Sequence, residues 1–280
     1  MLLVDGDIVV YSVAHACESR YYEVQDPDIG LSNVYRSKTA VRSAIPGFDT
    51  RELVPIITCA GERAAEDITR RCFRSWQDKT DKREVVVYLT NRDINCNFRK
   101  KLYPEYKRNR EGLVKPRLYE FMRYLLMKKY GAEVVSGYEA DDALGIAQNE
   151  KTIIVSKDKD LLQVPGLHYN ITKSTITKST KIGGLKLWRD KAGKARLIGH
   201  GFKFFCAQML LGDPVDNIKG IHRCGPVATF KYLSKCNSKR KLWGIIEDVY
   251  ESHNRDDVLI NAQLLWILRE EGCYFDKAKI

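Results

Sequence analysis

Short aliphatic runs that end in acidic residues alternate along this 280-residue chain with stretches of helical period. Leu2–Val4, Val85–Leu89 and Thr152–Val155 read as buried strands, and Glu133–Val135 as a further strand. They lack the in–out alternation of a half-solvated sheet, as expected of strands covered on both faces. Helices are expected from near Ile8, carrying Val9, Val13 and Ala16, and over Glu62–Lys79, where Ala65, Ile68, Cys72 and Trp76 share a side. Further helices are expected over Leu118–Tyr130 and Ala140–Gln148. Residues 26–61 carry no readable period and are broken by Pro27, Gly30, Pro46, Gly47 and Pro55. Leu167–Lys181 holds a duplicated Ile-Thr-Lys-Ser-Thr and reads as a strand or hairpin. From Phe202 the chain is mostly helical, with a glycine-rich turn at Lys219–Pro226. Strands alternating with helices give an α/β fold with a central, mainly parallel sheet flanked by helices. No linker interrupts the chain, so a single domain is expected, with an α/β core over about 1–200 and a helical part over 201–280.

The ends of the strands carry the chemistry. Asp5-Gly-Asp7 follows the first strand, Glu139-Ala-Asp141-Asp142 the third and Asp158-Lys-Asp160 the fourth; Asp213 and Asp216 come later. Ligands of open α/β sheets sit beyond the carboxyl ends of the strands, so the first three groups should converge. Nine carboxylates in one partly dry crevice repel one another unless cations neutralise them. Two divalent ions would offset four of these charges, and two-metal hydrolysis of phosphate esters is chemistry that uses such a site. Gly6 is expected to permit a tight turn with room for a metal or phosphate. Glu139 and Asp142, at i, i+3 spacing on a helix N-terminus, should share a face, with Asp141 pointing elsewhere and open to reaching the site through another ion.

The net charge of +11 sits oddly beside such a crevice, so the basic excess must face a polyanion. Phe98–Arg117 concentrates it: Arg99, Lys100, Lys101, Lys107, Arg108, Arg110, Lys115 and Arg117 face only Glu105 and Glu111, a net +6. Phe98, Tyr103 and Tyr106 are interleaved, a combination that suits phosphate contacts and base stacking. No basic amphipathic helix, lipidation signal or membrane-length apolar run stands out, so a membrane partner is not expected. The chain opens on a strand with no signal peptide, and its eight scattered cysteines form no Cys-x-x-Cys pair. A reduced, cytoplasmic protein without structural zinc is expected.

In this order, Val4-Asp-Gly-Asp7, Tyr103-Pro-Glu-Tyr-Lys107-Arg-Asn-Arg110, Glu139-Ala-Asp-Asp142, Ser156-Lys-Asp-Lys-Asp160 and Gly212-Asp-Pro-Val-Asp-Asn-Ile218 resemble the motifs of the 5′-nuclease (PIN-type, flap endonuclease-like) family. The likeness is greatest to phage-type 5′→3′ exonucleases, whose presence would be in the host cytoplasm. The resemblance implies that Asp5, Glu139, Asp141, Asp142, Asp158, Asp160, Asp213 and Asp216 hold two Mg²⁺ or Mn²⁺ ions, with Asp7 close by. Lys107 and Arg110 would act on the scissile phosphate from a helical arch at about 98–130. Residues 218–228 would form a helix–hairpin–helix-like grip on duplex backbone, with a monovalent cation such as K⁺. There Lys219 and Arg223 would meet phosphates, and Gly220 and Gly225 would offer backbone N–H groups. The implied partner is DNA with a free 5′ end, a nick or a flap, or an RNA–DNA hybrid, bound by a monomer. Two departures stand out. Asn91 occupies the place of the acid usual after the second strand, leaving Asp93 as a candidate ligand. Arg223 and Val227 stand where Gly and Lys are common.

Two other readings compete. In a haloacid-dehalogenase-type phosphatase, Asp5 would be the nucleophile, Asp7 the general acid, and Asp213 and Asp216 a metal loop. A catalytically inactive DNA-structure-binding protein would keep the basic surfaces alone.

Overall fold

The computed structural model describes residues 1–25 and 32–280; residues 26–31, in the stretch without a readable period, lie outside them. In chain order the strands are β1 (Leu2–Asp5), β2 (Glu18–Gln25), β3 (Ser32–Tyr35), β4 (Ile56–Cys59), β5 (Val85–Thr90), β6 (Glu133–Val135), β7 (Ile153–Ser156), β8 (Gly166–Asn170), β9 (Thr175–Ser179), β10 (Gly184–Arg189), β11 (Ala195–His200), β12 (Gly212–Asp213) and β13 (Ile218–Lys219). The helices are α1 (Gly6–Ala16), α2 (Lys38–Ala44), α3 (Glu62–Thr80), α4 (Phe98–Leu102), α5 (Tyr119–Tyr130), α6 (Ala140–Ala147), α7 (Gly201–Leu211), α8 (Pro226–Leu233), α9 (Lys239–Ser252) and α10 (Val258–Leu265). The chain forms two compact units, one of Met1–Ile8, Ser75–Leu113 and Leu126–Ile280, the other of Val9–Arg74 and Val114–Leu125.

The first unit is built on a sheet in the order β6-β5-β1-β7-β8-β9, parallel except for β9, which pairs antiparallel to β8. Every residue of β1 and β7 is buried, which explains their uninterrupted aliphatic runs. Leu3, Leu144, Ile154, Leu161 and Ile267 form one apolar cluster around these strands. Successive strands run outward from β1 on one side to β5 and β6, then return to β7 on the other. The β1/β7 boundary is therefore the topological switch point, where open sheets place their ligands. Gly6 follows β1 directly, and a Cβ there would stand 2.4 Å from the carbonyl oxygen of Tyr88. The space that glycine leaves is filled by β5, not by a metal or phosphate as the sequence suggested.

The two copies of Ile-Thr-Lys-Ser-Thr take different structures. Ile171–Ser174 forms the turn between β8 and β9, with Ser174 in the left-handed region (φ 53°), whereas the second copy builds β9 itself. The second apolar cluster surrounds α7, which is buried from Gly201 to Leu210. Phe202, Phe205, Trp243, Ile246, Tyr250 and Phe275 belong to it. A helix buried all round needs no polar stripe, so its few polar residues are informative. The antiparallel pair β10–β11, which sequence reading did not anticipate, turns Leu185 and Leu197 toward this cluster.

The second unit contains the antiparallel sheet β3-β2-β4. Thr69 donates to the Ala65 carbonyl at 2.7 Å, the rings of Tyr11 and Tyr119 lie 5.1 Å apart, and Arg117 N–H donates to Glu18 at 2.8 Å.

Candidate metal centre and nucleic-acid face

Asp5 ends β1 and Ser156 ends β7, and the two meet at the switch point. The Ser156 hydroxyl donates to Asp5 Oδ2 at 2.8 Å, and Ile8 N–H donates to Oδ1 at 3.0 Å. Ser156 Oγ also accepts from Asp158 N–H at 3.0 Å, and Asp158 Oδ1 accepts from Asp160 N–H at 2.8 Å. One serine thus sets the position of two acidic motifs. Burial, and then the charges of Asp7 and Asp158, push Asp5 up to about 7. Asp160 rises to about 8 through burial and the neighbouring Asp158, with Asp213 and Asp216 adding to the effect. Gln208, alone among apolar neighbours on α7, donates to Asp160 Oδ1 at 2.8 Å. Asp7 accepts from Thr90 N–H at 3.1 Å and so also ties α1 to the end of β5.

The third motif begins α6. Glu139 is its N-cap, Asp142 returns a hydrogen bond to the Glu139 N–H at 3.0 Å, and Thr90 Oγ1 accepts from Ala140 N–H at 2.9 Å. Burial first, then Asp5 and Asp158, hold Asp141 well above the usual carboxylate range. Asp141 therefore stands with Glu139 among the other acids, and the i, i+3 spacing misplaced only Asp142. Asp142 points inward and is fully buried. Its oxygens accept from Arg99 at 2.5 and 2.8 Å, from Glu139 N–H, and from Leu268 N–H at 2.9 Å. Both oxygens are saturated by donors, so Asp142 is a structural anchor and not the metal ligand expected from sequence. Its partner Arg99 is 3% exposed. Burial works against Arg99's charge, but Asp142 more than offsets it and raises its pKa. Arg99 also donates to the carbonyls of Leu264 and Trp266, at 2.9 and 2.6 Å. It is unavailable to nucleic acid, which corrects a second expectation.

The basic segment after α4 folds back on these acids. Lys107 sits in the left-handed region (φ 55°) and places its ammonium 2.5 Å from Glu139 Oε1 and 3.8 Å from Asp216 Oδ2. Arg110 pairs with Asp216 Oδ1. Burial disfavours the charge on Glu139, but Lys107 and then Arg99 outweigh it and hold the carboxyl at about 2. Asp216 stays above its ordinary value because burial exceeds the help of Lys107 and Arg110. Tyr106 is 1% exposed, with its hydroxyl 2.9 Å from Glu139 and 3.2 Å from Asp216. It cannot stack on a base; it braces the two acids, a third correction. Tyr103 is partly buried against the α7 cluster, Lys100 reaches Glu111 at 3.2 Å, Arg108 pairs with Glu105 at 2.5 Å, and Lys101 is exposed. The loop after β12 is stitched to this segment. Lys107 N–H donates to the Asp216 carbonyl at 3.0 Å, Asn109 to that of Pro214 at 2.8 Å, and Asn217 to that of Glu105 at 2.8 Å. Asp213 accepts from Val215 N–H at 2.8 Å and ends the two-residue β12 just after α7, not a strand of the six-stranded sheet, unlike a phosphatase metal loop. Asp93 caps the turn Ile94–Cys96, and its bonds are all local.

Lys219 ends β13 and Arg223 lies on the turn between β13 and α8; both are exposed. Arg223 adopts φ 58°, which suits the glycine common at that place. A Cβ on Gly220 would stand 2.3 Å from the carbonyl carbon of Leu211, so this glycine serves the close β12–β13 approach. Gly225 is the N-cap of α8, with Pro226 following. Beneath the turn lies a cavity of about 560 Å³ whose lining includes Lys219, His222, His253 and Arg255.

Among the described residues, no three His, Cys, Asp or Glu side chains are gathered closely enough to hold an ion as they stand. The donor set nevertheless fits a hard divalent cation: all-oxygen carboxylates, several desolvated and pushed above their normal pKa by one another. The charge of Asp158 acts on Asp5, Asp141 and Asp160 alike, Asp5 also acts on Asp141, and Asp160 in turn feels Asp213 and Asp216. Sequence reading gave no role to Ser156, although it lay inside a quoted motif, nor to Gln208, whose signal was a lone amide in an apolar helix.

Comparison with known proteins adds to this geometry. Residues 60–189 match the 5′-3′ exonuclease, N-terminal resolvase-like domain. A 5′-3′ exonuclease of Buchnera aphidicola (subspecies Acyrthosiphon pisum) is 28% identical over 195 residues, covering 66% of this chain and 64% of its own length. DNA polymerase I of Borreliella burgdorferi is 28% identical over 167 residues, which is 56% of this chain but 18% of the polymerase. Thus the chain spans less than two thirds of these relatives. T5 5′-exonuclease with zinc bound superposes with a TM-score of 0.52 at 14% identity, over 95% of this chain and 98% of that one, a likeness of fold.

Proposed function

We propose that the chain belongs to the 5′-nuclease family, which the match over residues 60–189 and the 28% identical relative support, and that it is a divalent-metal-dependent 5′→3′ exonuclease with flap endonuclease activity on DNA. The observation that carries this reading is the chain of hydrogen bonds by which Ser156, at the end of β7, holds Asp5 at the end of β1 beside Asp158 and Asp160 at the switch point of the sheet, with Asp141 near enough to feel the charges of Asp5 and Asp158. Asp5, Asp7, Glu139, Asp141, Asp158, Asp160, Asp213 and Asp216 would hold two Mg²⁺ or Mn²⁺ ions. Bound there, such ions supply Lewis acidity toward the phosphoryl oxygens and a water made nucleophilic near neutral pH. The protein's own part is positional. Ser156 fixes Asp5 and Asp158, Gln208 fixes Asp160, and Arg99 with Asp142 fixes the start of α6. Lys107 and Arg110 are held over Glu139 and Asp216. Once those acids are neutralised, the two cations face the phosphate, where developing negative charge strengthens their hold.

Lys219, Arg223 and the open N-terminus of α8 at Gly225 would grip duplex phosphates, with K⁺ a candidate cation at that turn. DNA with a free 5′ end, nick or flap is the substrate proposed, acted on in the cytoplasm by a monomer; an RNA–DNA hybrid is a further substrate to assay. Digestion of 5′- and 3′-labelled duplex and flap substrates with Mg²⁺ tests the reading. Short 5′-phosphorylated products released from the 5′ end are expected, and products from the 3′ end would overturn it.

A further inference from the structure

The hairpin β10–β11 lies outside every motif used so far. Its inward residues, Leu185 and Leu197, pack on the α7 cluster. Strand alternation turns Lys186 and Trp188 of β10, and Arg196 and Ile198 of β11, to the opposite face. The cross-strand register places Trp188 opposite Arg196 and Lys186 opposite Ile198, so the four form one patch. Trp188 is 44% exposed and Ile198 is 50% exposed. That exposure is unusual in this chain, since Trp76 and Trp243 are buried and Trp266 is half-buried. Around the patch, Gly184–His200 carries Lys186, Arg189, Lys191, Lys194 and Arg196 against Asp190 alone, a net +4. Asp190 accepts from Arg196 at 2.9 Å and from the N–H groups of Ala192 and Lys194, so it is spent on closing the turn.

We propose that the outer face of β10–β11 is a second nucleic-acid contact that takes a single strand, with a base stacked on Trp188 and the backbone tracked by Lys186, Arg196 and the lysines of the turn. An exposed indole amid a net excess of cations meets both needs of single-strand binding, a π-face and phosphate neutralisation. A paired base has no free face to offer, which favours a single strand over a duplex. This inference rests on the reading of the protein as acting on nucleic acid and extends it to residues other than the acids and the turn at Lys219–Gly225.

Equilibrium binding in EDTA, with a single-stranded oligothymidylate and a blunt duplex as probes, tests it without catalysis. Trp188→Ala should weaken oligothymidylate binding roughly tenfold, from a base–aromatic stack worth about 1–3 kcal/mol, and leave duplex binding within about twofold. Trp188→Phe should recover most of the loss. Lys186→Ala with Arg196→Ala should make the slope of log affinity against log salt shallower by about 0.7 per lost contact. Tryptophan fluorescence should be quenched by oligothymidylate in the wild type and much less in Trp188→Phe. Unchanged single-strand affinity in Trp188→Ala would overturn the proposal. So would concentration-dependent self-association that Trp188→Ala abolishes while single-strand affinity stays unchanged, because the patch would then face protein. Failure of the nuclease reading is distinguishable: the wild type would cleave nothing with Mg²⁺ and yet show Trp188-dependent binding.

Discussion

Arg99 and Asp142 meet through two hydrogen bonds, of 2.5 and 2.8 Å, where neither side chain touches bulk water. The pair ties α4 to the first turn of α6 and, through the carbonyls of Leu264 and Trp266 and the N–H of Leu268, to the end of α10 and the segment after it. Removing one partner of such a pair strands a buried charge, at a cost of about 3–5 kcal/mol. Asp142→Asn should therefore lose stability on this scale along with activity, as Glu139 and Asp141 lose their frame. Asp158→Asn should lose activity at nearly unchanged stability and keep DNA affinity. Urea unfolding of both variants separates the cases, and equal midpoints would refute the anchoring role.

Gln208→Leu removes the donor to Asp160 while keeping the volume on α7. Loss of an outer hydrogen bond to a ligand typically lowers metal affinity about 10–100-fold. Mn²⁺ titration followed by electron paramagnetic resonance should show a loss in that range, and unchanged affinity would dismiss Gln208 as a positioning residue.

The metal-free protein should become less stable as pH rises. Asp5 and Asp160 titrate at about 7 and about 8 in the folded state, against about 3.9 in an unfolded chain. Folding therefore takes up protons between roughly pH 4 and 8, and stability is lost as pH climbs through the folded values. Thermal unfolding in EDTA should show Tm falling from pH 5 to 8.5, with Mn²⁺ flattening or reversing the trend. A Tm that climbs with pH in EDTA would contradict the raised values of these acids.

Lys107→Ala should cut the single-turnover rate on a 5′-flap duplex by about 10²–10³, the scale of a lost electrostatic donor, with a much smaller loss of affinity. Equal losses of rate and affinity would make this segment a docking surface only.

What could be read from the sequence follows burial. β1, β5 and β7 were legible because strands in a covered parallel sheet keep only aliphatic residues. β2 and β3 are polar on most positions and were not. The acidic motifs were found by their place after strands, yet which acid faces the crevice depended on Arg99, about forty residues upstream, and helical spacing carries no information about that. The buried state of Tyr106 was hidden for the same reason: its hydroxyl answers to Glu139 and Asp216, which only the tertiary fold brings near. The repeated Ile-Thr-Lys-Ser-Thr makes the limit plain, since one copy turns and the other extends.

That second copy closes the sheet. β9 is the terminal strand, and Thr175–Lys178 are exposed on it. An open strand edge rich in β-branched residues is a template for other chains, and lysine is a residue that natural edges use to discourage such pairing. Lys178 within the strand and Lys173 at its turn stand guard there. The duplication thus contributes protection from edge-to-edge aggregation, a colloidal service independent of anything the acids do.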